Sequence, residues 1–273
     1  MDSVSFGKRV FNSALMVTLA ALVTFFFPNW VFTLLASSLI GLGLSEFFGI
    51  VEKKGIVVYR YFGVIIGVLV PVIVYFQMGT EGYSTLEPFF IVIACLFLFV
   101  LQFTKRDPSH AVSSIAVTMF GLLYIAWFLS FSIKIKFLPH GTLLVAFLIL
   151  VTKIGDVGAY MIGSSFGKRH LIPRISPKKT VEGTTGGLVC SVAAALISKS
   201  YLPDFPYGHL FALGLLLGIL GQVGDLAESL IKRDCEVKDS GSNFSGFGGV
   251  MDIIDSLLFT TPIFYFYIQV VMR

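Results

Sequence analysis

Charge is what this chain has least of. Asp, Glu, Lys and Arg make up 13% of its 273 residues, about half the ~25% of an ordinary soluble domain. With 56% hydrophobic residues and a mean hydropathy of +0.88, a water-soluble fold of this length could not hide its apolar surface. Lipid must replace water over much of it. Cysteine is also scarce. Cys95, Cys190 and Cys235 are spaced for neither a disulfide framework nor a zinc site. The four histidines, His110, His140, His170 and His209, form no ligand pair and read as solvated or structural. Trp30 and Trp127 read as interfacial or packing aromatics. A Gly-x4-Gly-Lys-Ser/Thr phosphate loop is absent.

Long apolar runs are abundant. A helix needs about 20 apolar residues to cross ~30 Å of hydrocarbon. Nine such runs are predicted, at 10–27, 30–50, 57–77, 88–103, 111–132, 141–163, 184–200, 207–231 and 252–271. Lys8 and Arg9 precede the first, but that run is long for a signal-peptide core and lacks a small-residue cleavage site, so it reads as a span. Fifteen of the 20 Lys and Arg residues fall on one of the two alternating sides. Lys134, Lys136, Lys199 and Arg273 fall on the other, and Lys153 lies inside a span. This bias predicts an N-terminus in the cytoplasm. It also accounts for the net charge of +4, so no nucleic-acid partner is expected. The expected fold is all-α: one integral membrane domain over 1–273, with plain helices in 1–150 and a polar, catalytic part in 150–260.

The polar part carries charge where lipid makes charge expensive. Asp156 follows Lys153 within the sixth run, Asp225 and Glu228 lie towards the end of the eighth, and Asp252 and Asp255 open the ninth. A carboxylate at such depth normally faces a cavity or a partner. Asp225/Glu228 and Asp252/Asp255 are both i, i+3 pairs, so each pair shares a helix face. Two such faces meeting would make an oxygen-rich site of the kind Mg²⁺ takes. The alternative for Asp252 and Asp255 is that they only start a helix, where acids favour the positive dipole end.

Two further stretches suit phosphate. Ser176, Lys178, Lys179, Thr180, Glu182 and Gly183 fall in a predicted loop before the seventh run that combines hydroxyls, two lysines and backbone flexibility. Backbone N–H groups at a helix start, with lysines, can cradle phosphate, although lysines alone fit an ordinary cytoplasmic loop equally well. Then Asp225, Glu228, Lys232, Arg233, Lys238 and Asp239 alternate sign ahead of a glycine-rich turn ending at Gly248 and Gly249. Carboxylates for metal and cations for phosphate oxygens fit a metal–triphosphate complex.

These segments resemble the phosphatidate cytidylyltransferase (CDP-diglyceride synthase) family. Its signature reads approximately Ser-x-x-Lys-Arg-x4-Lys-Asp, a spacer, Pro-Gly-His-Gly-Gly, then x-x-Asp-Arg-x-Asp-Ser. At matching spacing stand Ser229, Lys232, Arg233, Lys238, Asp239, Gly246, Gly248, Gly249, Asp252, Asp255 and Ser256. Gly155 to Tyr160, Phe166 to Lys168 and the segment from Ser176 are similar to the family as well. The chain departs from the signature at Ser245, Phe247 and Ile253, where the family has Pro, His and Arg.

The resemblance implies transfer of CMP from CTP to phosphatidic acid in a lipid bilayer, giving CDP-diacylglycerol and pyrophosphate. It implies Mg²⁺, with room for a second cation, held by Asp225 and Asp252, with Asp255, Asp239 and Glu228 as further ligands or their supports. Lys232, Arg233 and Lys238 would hold phosphates. Ser176, Lys178, Lys179 and Thr180 would hold the triphosphate or the lipid phosphate, with Asp156, Glu182, Gly183, Ser229, Gly248 and Gly249 lining the substrate site. A homodimer stays open. Two other readings share some of these features. A CTP-dependent lipid kinase would attack the γ-phosphate, and an ion-coupled transporter would place its acids near the bilayer midplane.

Overall fold

The computed structural model describes residues 22–80, 86–105, 107–237 and 249–271. The first predicted run lies outside them except for a helical stretch at 22–26. Each of the other eight runs is a helix long and apolar enough to cross a membrane. They are α1 (Asn29–Lys53), α2 (Arg60–Gly79), α3 (Leu86–Phe103), α4 (Ala111–Lys136), α5 (Gly141–Phe166), α6 (Val181–Ile197, prolonged by a 3-10 turn, Ser198–Ser200), α7 (Tyr207–Asp234) and α8 (Met251–Val271). Several helices outrun the predicted spans because their polar ends extend the helix beyond its apolar middle. One consequence corrects the charge count: Lys134 and Lys136 belong to the last turn of α4 and are buried, not placed in a loop.

The described residues form two compact units, one within Met1–Phe137 and Cys235–Asp252, the other within Leu138–Asp234 and Ile253–Arg273. In the first unit, Phe47 and Phe48 of α1 are fully buried, with Phe47 against Phe120 of α4. α3 exposes Phe89, Val92, Leu96, Phe99 and Phe103, an apolar surface that only lipid can solvate. α4 widens to a π-helix over Leu122–Trp127. At its end the Trp127 indole N–H donates to Glu87, whose carboxylate pairs with Lys134 at 2.5 Å.

In the second unit α5 and α6 pack most intimately. A Cβ on Gly158 would come 2.5 Å from the Cys190 sulfur, so small residues set the helix separation there. Between α5 and α6 the chain makes a hairpin, β1 (His170–Ile172) and β2 (Ser176–Thr180), antiparallel, with His170 opposite Thr180 and Ile172 opposite Ser176. It is the sole strand pair among the described residues. The Thr180 hydroxyl accepts the Gly183 N–H at 3.1 Å, which caps α6. The cysteines form no disulfide.

Candidate active site

Three carboxylates converge in the second unit. Asp225 and Glu228 stand one turn apart on α7, Asp255 lies in the first turns of α8, and one oxygen from each lies within 4.8 Å of the others. Their approach depends on Gly224. A Cβ there would stand 2.4 Å from the Asp255 carbonyl oxygen, so α7 and α8 meet backbone to backbone. Burial is graded across the cluster: Glu228 is 1% and Asp255 6% exposed, whereas the Asp225 side chain is 41% exposed. The group therefore has a buried floor and an accessible mouth.

Lysines interleave with these acids. Lys179, from β2, reaches Asp225 at 2.7 Å, and Lys232, one turn along α7, reaches Glu228 at 3.0 Å. Lys153 donates to Asp156 at 3.0 Å and to the Ser256 hydroxyl at 2.8 Å. That hydroxyl donates to the same Asp156 oxygen at 2.9 Å, while the Ser256 backbone N–H donates to Asp255 at 2.5 Å. Four carboxylates thus face three ammonium groups. Like charges this close repel strongly where the dielectric is low, and the lysines leave a net negative charge. Several hard oxygen donors with residual negative charge suit a hard divalent cation. On this donor chemistry the residues fit Mg²⁺.

The other predicted site residues fall as follows. Ser176, Lys178 and Lys179 are strand residues, not a flexible loop. Lys178 is exposed on the strand, whereas Lys179 turns to Asp225. Glu182 accepts the backbone N–H groups of Lys168 and Arg169 at 3.0 and 3.2 Å, tying the end of α5 to the start of α6. Gly183 packs within Cβ distance of the Ala159 carbonyl. Arg233 donates to the Ile175 carbonyl at 3.2 Å, joining α7 to the hairpin. Ser229 is half-buried on α7. Lys238, Asp239 and Gly248, with Ser245, Gly246 and Phe247, lie outside the described residues. In the first unit, Asp252 accepts the Gly249 N–H at 2.7 Å, a helix-start contact. Ile253 is half-buried in the first turn of α8.

Two charged residues within spans have partners that sequence spacing does not reveal. Lys153 lies inside a span, and its partners come from α5 and α8 together. Glu46, in α1, is 5% exposed and accepts the Met251 N–H at 2.9 Å, at the head of α8. An acid in the middle of an apolar run was its signal. A cavity of about 520 Å³ is lined by Leu138, His140, Tyr201, Phe205 and Ile268. It sits at the ends of α5 and α8 away from the carboxylates and takes no part in the site.

The sequence pattern and this geometry meet in the comparison with known families, where the cytidylyltransferase family model matches residues 7–271. The chain belongs to the cytidylyltransferase family. Among its relatives are the uncharacterized protein YnbB of Escherichia coli (strain K12), 38% identical over 69% of this chain, and the phosphatidate cytidylyltransferase of Bacillus subtilis (strain 168), 36% identical over 68%. The phosphatidate cytidylyltransferase of Synechocystis is 28% identical over 97%. The matched stretches span 66%, 69% and 97% of those proteins' own lengths. This cytidylyltransferase is accordingly an integral membrane nucleotidyltransferase, and its acid–lysine cluster stands on three apolar helices, α5, α7 and α8, and on strand β2.

Proposed function

We propose that the chain is a CTP:phosphatidate cytidylyltransferase that makes CDP-diacylglycerol and pyrophosphate for phospholipid biosynthesis. The observation that carries this reading is the Asp225–Glu228–Asp255 group flanked by Lys179 and Lys232 in a member of the cytidylyltransferase family. The lipid phosphate is already an anion at neutral pH, so no general base is required. Its oxygen attacks the α-phosphorus of CTP in line, a new P–O bond forms, and the bond to pyrophosphate breaks. The barrier is mainly repulsion between anions and charge on the leaving group, so catalysis reduces to positioning and neutralisation.

Asp225, Glu228 and Asp255 would hold Mg²⁺, with Asp252 joining them by the family signature. When bound, the metal would screen the triphosphate and stabilise the departing pyrophosphate. Lys179 and Lys232 now rest on Asp225 and Glu228 and are placed to turn to phosphate oxygens. The exposed side of Asp225 gives a water-soluble nucleotide its entry, while the surrounding helices keep a lipid headgroup at the same depth. The bias of Lys and Arg supports a cytoplasmic N-terminus and a site on the cytoplasmic side of an inner membrane.

Purified chain in lipid–detergent micelles tests this. With phosphatidate, Mg²⁺ and CTP labelled at the α-phosphorus, label is expected in the lipid and unlabelled pyrophosphate in solution. Lipid that takes label only from the γ-phosphorus would make the protein a lipid kinase and sink the reading.

A further inference from the structure

Lys153 stands near the middle of the 26-residue α5, where an ammonium is expensive and kept only for a partner. The plain account is that it neutralises Asp156 one turn away on the same helix. The geometry exceeds that need. The ammonium also donates to Ser256 of α8 at 2.8 Å, and Ser256 donates to Asp156 through its hydroxyl and to Asp255 through its backbone N–H. Ser256 is fully buried and serves as a hub between α5 and α8. Two of the three Lys153 N–H groups are used by Asp156 and Ser256 among the described residues.

We propose that Lys153 is a positioning residue for the carboxylate site: a fixed ammonium that, through Asp156 and Ser256, orients Asp255 and leaves room for a single divalent cation. Lys179 and Lys232 pair with acids of the cluster itself and can be drawn off by phosphates. Lys153 is tied to two helices at once and stays. Its charge repels any second divalent ion near Asp156, and it weakens the first by the same field. Removing the charge while keeping hydrogen bonds therefore makes the cluster a stronger cation trap and a poorer enzyme.

This inference rests on reading Asp225, Glu228 and Asp255 as a cation site, and the experiment separates the two. Mn²⁺ binding to the purified full chain is counted by electron paramagnetic resonance in wild type, Lys153→Gln and Lys153→Arg. Wild type is expected to take one Mn²⁺. Lys153→Gln is expected to bind Mn²⁺ about tenfold more tightly, since one nearby positive charge is gone. Its kcat should fall about 100-fold, as misplaced reacting groups do, with the KM for CTP within about threefold. Lys153→Arg should keep Mn²⁺ binding near the wild-type value. Mn²⁺ affinity unchanged or weakened in Lys153→Gln would overturn the proposal and reduce Lys153 to a partner for Asp156. Two Mn²⁺ ions at the carboxylates of wild type would overturn it without any variant. Failure of wild type to bind Mn²⁺ would remove the cation site itself.

Discussion

In the first unit one buried pair of opposite charges is closed off from solvent. Glu87 has Lys134 at 2.5 Å, both side chains nearly closed off at 5% and 11% exposure, with Trp127 completing the contact. In the second unit like charges are gathered instead. Three carboxylates share a space 4.8 Å across, and Asp225 and Lys179 remain 41% and 24% exposed. A matched, closed pair minimises the electrostatic cost of burial and does nothing further. A gathered, half-open cluster raises that cost, and a protein keeps such an arrangement where a ligand relieves it. Charge inside a membrane helix is therefore a weak sign of function until its partners are known.

The comparison breaks first at Asp225. Asp225→Asn is expected to lower CMP transfer on the order of 1,000-fold, the scale of losing a group that stabilises charge in the transition state. Its thermal midpoint should be retained or raised, because a like charge leaves a crowded cluster. Pyrophosphate release and thermal unfolding of the same preparation check both halves. A large fall in stability would mean that the second unit's acids are structural, like those of the first.

Glu87→Gln should do the reverse. It leaves the Lys134 ammonium buried without its carboxylate and should cost about 3 kcal/mol of stability, with turnover per folded molecule unchanged. The double variant Glu87→Gln/Lys134→Met should recover most of that loss. A turnover defect that survives in the double variant would assign the first unit's pair to the chemistry.

The smallest expected effect is at Gly224→Ala. The added methyl would meet the Asp255 carbonyl oxygen at 2.4 Å and push α8 from α7. The displacement should cost about tenfold in kcat, a fraction of what a 1 Å error can cost, together with a lower thermal midpoint. Full activity would show that the cluster tolerates a wider spacing than the close approach suggests.

The spans were legible because each is a local property: twenty apolar residues in a row have one low-energy state in lipid. The i, i+3 pairing of Asp225 with Glu228 was legible for the same reason, since one helix fixes it. The hairpin was not. Residues 170–180 are short and polar, and a strand pair there depends on α5 and α6 holding its ends. Glu182 read as a substrate contact, yet the fold employs it on two backbone N–H groups, which no spacing rule could reveal. Lys153 was visible as a charge in a span, but its bond to Ser256 crosses about one hundred residues of chain.

By itself the sequence determined that this is a multi-span membrane protein and where its acids and lysines lie along each helix, because hydropathy and helical period act over a few turns. Only the tertiary structure decided which acids share a cation-sized space and which lysine answers each one. Those choices depend on the gap between helices, and that gap is set by contacts such as Gly224 against Asp255 that are remote in sequence.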